Sequence, residues 1–202
     1  MQKPEGFSSI LEDTMPMNKK IKEALTKPNT LTLCRIGAIP IIILLMYFPN
    51  RLCTFTAGLF FSAAAITDYL DGYLARQRDL VSSFGKIMDP VADKLLVSSS
   101  FIMLVYHGWV PAWMVCIIIG RELAVTGLRN IIAETGGDVS ASWLGKYKTG
   151  FQIAAIIPLF FHYDYFTISM NAIGTFFLWG ALLFTIWSGA DYFFRARHLL
   201  KQ

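Results

Sequence analysis

Apolar positions along this chain gather into six runs between Leu31 and Phe194, separated by short polar breaks. Each run approaches the ~20 residues that a helix needs to cross a bilayer. The first covers about Leu31 to Phe48, after Pro28 and with Asn29 or Thr30 suited to cap it. The second runs from about Leu52 to Arg76 and the third from about Gly85 to Tyr106. The fourth, about Val110 to Glu134, is interrupted by Arg121, Glu122 and Arg129. The fifth, about Ser142 to Phe161, carries Lys146 and Lys148, and the sixth covers about Ile168 to Phe194. No strand-like alternation competes with this pattern. The expected fold is an all-α integral membrane protein of six transmembrane helices.

Residues 1–28 stand apart as a leader, with residues 29–202 forming the helical domain. Within the leader, Asn18 to Leu25 predicts a short amphipathic juxtamembrane helix. Ile21, Ala24 and Leu25 share one face, while Lys19, Lys20, Lys22 and Glu23 occupy the other, which suits an anionic membrane surface. Residues 1–16 read equally well as a polar leader, and no long apolar core with a cleavage site marks a signal peptide.

Composition strengthens the membrane reading. Of the 202 residues 54% are hydrophobic and only 16% charged, and the mean hydropathy is +0.48, well beyond a soluble domain. Cys34, Cys53 and Cys116 lie scattered in apolar runs without metal or redox spacing, and read as small core residues. The net charge of +4 does not point to nucleic acid, because the basic residues flank the apolar runs. Arg51 is the one Lys or Arg in the turns after helices one, three and five; the opposite side collects Lys19, Arg76, Lys86, Arg129, Lys146, Arg195 and others. That asymmetry predicts both termini in the cytoplasm. Trp109, Trp113 and the Tyr163 to Phe166 cluster fit the aromatic belt of the other interface.

Chemistry enters between helices two and three. Asp68 and Asp71 are three apart and Asp89 and Asp93 four apart, so each pair projects from one helix face. With a turn near Leu80 and Val81, Asp68 sits level with Asp93 and Asp71 level with Asp89, and all four carboxylates converge. A charge at membrane depth costs roughly 2.5–3.5 kcal/mol on insertion scales, and four repelling carboxylates add to that. Arg76, Lys86 and Lys94 could make the cluster a structural ion-pair network. The alternative is a divalent-cation site, for which all-oxygen ligands select Mg2+ or Mn2+ before Zn2+, commonly shared with substrate phosphate. Gly72 and Ala75 remove bulk where a diphosphate would approach, or serve helix packing. Arg76 offers a forked phosphate donor, Gly85 a bare backbone at the hairpin turn, and Pro90 suits the first turns of helix three.

These residues together resemble the CDP-alcohol phosphatidyltransferase family, whose motif D-x2-D-G-x2-A-R-x8-G-x3-D-x3-D is matched from Asp68 to Asp93 at every position. The resemblance implies a six-helix membrane enzyme, usually a homodimer, that displaces CMP from a CDP-activated lipid. It implies that Asp68, Asp71 and Asp89 ligate a first metal ion, Mg2+ or Mn2+, while Asp68, Asp89 and Asp93 border a second. Asp93 would be the general base, and Gly72, Ala75, Arg76, Ser82 and Gly85, with Asn29 and Thr32, would face the CDP-lipid.

The acceptor is the remaining question. Arg121, Arg129, Lys146 and Lys148 lie on the cytoplasmic halves of helices four and five, with Glu122 among them. Interfacial snorkelling accounts for some of them, but Arg121 lies about 12 Å deeper than Arg129 at ~1.5 Å per residue. A cationic pocket favours an acceptor that carries phosphate. Gly120 to Gly136, Ala141 to Gln152 and Pro28 to Arg35 are similar to segments of the bacterial branch of the family that forms phosphatidylglycerol phosphate. That similarity implies transfer from CDP-diacylglycerol to glycerol 3-phosphate, and the charge asymmetry predicts an active site at the cytoplasmic face of the inner membrane. A sister enzyme using inositol phosphate or phosphatidylglycerol shares the aspartates and differs around Arg121 to Lys148. A divalent-metal transporter is the rival of another class, but it needs acids through the full membrane depth, and helix one has none.

Overall fold

The computed structural model describes residues 28–48, 50–78, 83–134, 143–163 and 169–197; for residues 28–31, 68–78, 83–87 and 133–134 the backbone alone is described. Six helices and no strands occur among the described residues: α1 (Pro28–Tyr47), α2 (Arg51–Arg78), α3 (Ser83–Tyr106), α4 (Ala112–Glu134), α5 (Trp143–Phe161) and α6 (Met170–Ala196). All twelve ends fall within about three residues of the apolar runs, the usual spread of boundary assignment. The juxtamembrane helix expected at Asn18 to Leu25 and the turn expected at Leu80 and Val81 lie outside the described residues.

Apolar runs build these helices because a helix satisfies its own backbone N–H and C=O groups wherever its side chains exclude water. Of the six, α6 alone among the described residues is long and apolar enough throughout to cross a membrane by itself. Thr32–Tyr47 and Arg51–Thr67 are shorter apolar segments. The second of these ends at the residue before Asp68. The helix nevertheless continues to Arg78, so its 28 residues reach about 42 Å at ~1.5 Å each. The aspartate end of α2 is thus a polar extension of an apolar rod.

α1 packs on α2 and α3, α5 on α6 and α2, α6 also on α4, and α3 on α4 and α5. One core, built around Phe61, Phe101 and Phe160, joins these helices, and Phe61 meets Phe160 edge-on at 5.7 Å. A smaller cluster of Val125, Leu128, Ile132, Tyr192 and Ala196 closes the far ends of α4 and α6. The α5 to α6 contact is close because Gly174 lacks a side chain: a Cβ there would lie 2.5 Å from Leu159 Cγ. Gly174→Val is therefore expected to lower stability by about 1–3 kcal/mol through overpacking, read as an earlier thermal transition in detergent. An unchanged transition would mean that the two helices separate freely.

The α3 to α4 turn ends its helix with a left-handed glycine. Gly108 has φ +70°, its N–H donates to the Val105 carbonyl (2.9 Å) and the Trp109 N–H to that of Leu104 (3.0 Å), the Schellman pattern that satisfies terminal carbonyls. Trp109 then stacks on His162 at 3.9 Å, and His107 Nε2 donates to the Met46 carbonyl. The two histidines, given no chemistry by their position in the sequence, tie turns together.

Three expectations change. The cysteines are not core residues: Cys34 and Cys116 are exposed and Cys53 half-buried. In helices that are apolar all round, periodicity does not separate the packed face from the outer one. Pro90 lies inside α3 rather than at its start, so the carbonyl one turn earlier loses its ladder donor. Asn29 and Thr30 follow Pro28 within the first described turn of α1, where the missing proline N–H is least costly.

Candidate active site

The first part of the site forms where α1 crosses the start of α3. Asp89 and Asp93 are one turn apart on α3 and both half-buried. Thr32 of α1 is fully buried, and its hydroxyl donates to Asp89 Oδ1. That hydrogen bond fixes one oxygen of Asp89. Arg35, one turn further along α1, is also buried, at 4% exposure. The backbone of α2 carries Asp68, Asp71, Gly72, Ala75 and Arg76, and that of α1 and α3 carries Asn29 and Gly85; their side chains, and all of Ser82, lie outside the described residues. Two of the four expected carboxylates are therefore in view. Among the described residues no three metal-ligating side chains converge. Asp89 and Asp93 are hard oxygen donors placed one turn apart, which suits Mg2+ or Mn2+.

The second part lies between α4, α5 and α6. The Glu122 carboxylate accepts from the Lys148 ammonium and, at 3.3 Å, from Arg121 Nη1. Lys148 is 4% exposed. Arg121 Nη2 donates to Ser188 Oγ at 3.0 Å, and the Ser188 hydroxyl donates to the Phe184 carbonyl at 2.6 Å. Arg121 Nε and Gln152 Nε2 are buried with no hydrogen-bond partner among the described residues. Two cations thus share one carboxylate, and one guanidinium donor is left over among the described residues. Chemistry of this kind suits an anionic ligand.

Of the four basic residues expected to share one pocket, the structure joins Arg121 and Lys148 only. Arg129 is exposed and sits 5.8 Å from the centre of the Tyr192 ring. Lys146, two residues from Lys148 and so turned away on the helix, lies 4.8 Å above the Trp143 ring. It borders an open apolar groove of about 380 Å³ with Tyr147, Phe151 and Phe177, unsuited to a phosphate. The pairing of Asp191 with Arg195 across one turn, expected from their spacing, forms at 3.0 Å.

The roles of Glu122 and Ser188 escaped the sequence. Glu122 was open to inference, being the acid at depth among four cations, whereas Ser188 is 67 residues from Arg121 in an apolar helix and carried no signal.

Against this geometry, a family model described as CDP-alcohol phosphatidyltransferase matches residues 25–187. A Bacillus subtilis protein named CDP-diacylglycerol–glycerol-3-phosphate 3-phosphatidyltransferase is 44% identical over 186 residues, covering 86% of this chain and 96% of that one. A Rickettsia bellii protein of the same name is 42% identical over 175 residues, with 86% and 96% covered. An Escherichia coli K12 protein, again of that name, is 37% identical over 180 residues, with 87% and 97% covered.

Proposed function

The chain belongs to the CDP-alcohol phosphatidyltransferase family, and from that premise we propose that it transfers the phosphatidyl group of CDP-diacylglycerol to glycerol 3-phosphate, yielding phosphatidylglycerol phosphate and CMP. The observation that carries the choice of acceptor is the Arg121–Glu122–Lys148 group, in which two cations share one carboxylate and a guanidinium N–H is left over among the described residues. The names of the similar bacterial proteins support the same acceptor.

In this reading Asp68, Asp71, Asp89 and Asp93 would hold Mg2+ or Mn2+, two ions by family analogy, and when bound these supply the positive charge that a diphosphate needs. Thr32 orients Asp89 through its hydroxyl. Asn29, Thr32, Gly72, Ala75, Arg76, Ser82 and Gly85 face the CDP moiety. Arg121 and Lys148 take the acceptor's phosphate, and Glu122 compensates them when none is there. Held so, the acceptor hydroxyl oxygen forms a bond to the phosphorus that carries diacylglycerol. The bridging P–O bond to CMP breaks, CMP keeps that oxygen, and Asp93 takes the hydroxyl proton. An alcohol is a poor nucleophile at neutral pH, so the proton must leave as the new bond forms.

A lipid substrate requires a membrane site. The six helices are proposed to span the inner membrane with both termini and the aspartates at the cytoplasmic face, where a soluble acceptor and a lipid-anchored nucleotide both arrive. Large apolar side chains exposed on every helix, among them Leu44, Leu52, Ile102, Leu123, Tyr147 and Phe176, support contact with lipid. A homodimer is the expected assembly by family analogy.

Membranes containing the protein are expected to incorporate labelled glycerol 3-phosphate into lipid when CDP-diacylglycerol is supplied. Chelation of divalent cations should abolish incorporation, and added Mg2+ or Mn2+ should restore it. Incorporation that survives chelation would contradict the assignment of the aspartates.

A further inference from the structure

We propose that Ser188 and Gly189 of α6 form a cradle that positions Arg121 for the acceptor's phosphate, so that α6 takes part in acceptor discrimination; this rests on the acceptor reading given above. The two residues lie immediately beyond the stretch matched by the family model, which ends at residue 187.

Ser188 is fully buried. Its single hydroxyl proton goes to the backbone of α6, to the Phe184 carbonyl at 2.6 Å with the Thr185 carbonyl further off at 3.3 Å, so the oxygen presents a lone pair, and Arg121 Nη2 donates into it at 3.0 Å. The orientation of that acceptor is fixed by the backbone of α6. Gly189 is also buried, and a Cβ there would lie 3.1 Å from Arg121 Cγ and 3.7 Å from its Nε. A bare backbone therefore lets the arginine stem lie flat against α6. Held at Nη2 by Ser188 and at Nη1 by Glu122, the guanidinium keeps Nε without a partner among the described residues. A planar fork held in one orientation presents that donor at a defined angle, whereas a loose arginine would spread it. Ser188 touches neither substrate and acts through Arg121.

The test is steady-state kinetics on purified Ser188→Ala, with Ser188→Thr as the conservative control. Loss of one hydrogen bond to a charged group predicts a rise in the KM for glycerol 3-phosphate of about tenfold or more. The KM for CDP-diacylglycerol and the thermal transition should stay put. The preference for glycerol 3-phosphate over phosphate-free glycerol should shrink by the same factor, and Ser188→Thr should recover most of it. An unchanged KM for glycerol 3-phosphate overturns the proposal. So does a parallel fall in all parameters with a lower thermal transition, which marks a purely structural serine. If Ser188→Ala cannot be recovered folded, Gly189→Ala, which crowds the arginine stem, is read by the same split. A wild-type protein inactive with glycerol 3-phosphate would instead sink the acceptor reading. The split would then be measured with inositol phosphate, and a selective rise in its KM would still support the cradle.

Discussion

Replacing Asp93 by asparagine is expected to stop turnover while leaving CDP-diacylglycerol binding largely intact. Asparagine keeps the size of the side chain and loses its charge and basicity. Positioned proton transfer contributes about 10²–10⁴-fold to rate, and Asp93 is also expected to border a metal ion, so the loss should sit at or beyond the upper end. The other three aspartates and the residues of α1 and α2 proposed to face the CDP moiety should still anchor the donor. CMP release gives the rate, and equilibrium titration with CDP-diacylglycerol gives the affinity. Near wild-type rates in Asp93→Asn would remove Asp93 as the base, and loss of binding in step with rate would make it a donor-site residue only.

Lys148→Met should produce two separable losses. Methionine approximates the lysine stem, but it leaves the half-buried Glu122 carboxylate without its closest cation. Breaking a buried pair on one side costs about 3–5 kcal/mol, while replacing both partners is often nearly neutral. The double variant Lys148→Met with Glu122→Gln is therefore expected to regain most of the stability lost by the single one. Activity should not return with it. Losing a charged contact to phosphate, worth about 1.5–3 kcal/mol, corresponds to a fall of roughly 10- to 150-fold in kcat/KM for glycerol 3-phosphate. Thermal unfolding in detergent and acceptor kinetics on the same preparations separate the two effects. If the double variant recovered activity together with stability, Lys148 would be a structural cation and Arg121 alone would meet the phosphate.

The helices were legible because membrane-length apolar runs alternate with short polar breaks, a pattern that few other structures share. Even the tight turn at Gly108 falls where a run ends. Burial within a run was not legible. Cys34 and Cys116 look outward from helices whose outer and inner faces are equally apolar, and nothing in a uniform hydrophobic run says which side meets protein. The site divided along the same line. The aspartates stand out because acids interrupt an apolar background at helical spacing, and the Thr32 to Asp89 contact joins two residues singled out for separate reasons. The cations of α4 and α5 looked alike in sequence. Sequence separation hides what divides them: Lys148 meets Glu122 across 26 positions and Arg121 meets Ser188 across 67, while Arg129 and Lys146 settle over aromatic rings at the rim.

In the proposed function, donor chemistry falls to the aspartate hairpin and selection of the acceptor to Arg121 and Lys148 on α4 and α5. CMP release by the purified protein, supplied with CDP-diacylglycerol and a panel of acceptors, tests that division most directly. The predicted result is CMP formed one for one with phosphatidylglycerol phosphate when glycerol 3-phosphate is present, and little with glycerol, inositol phosphate or phosphatidylglycerol. CMP release with inositol phosphate or phosphatidylglycerol and none with glycerol 3-phosphate would contradict it.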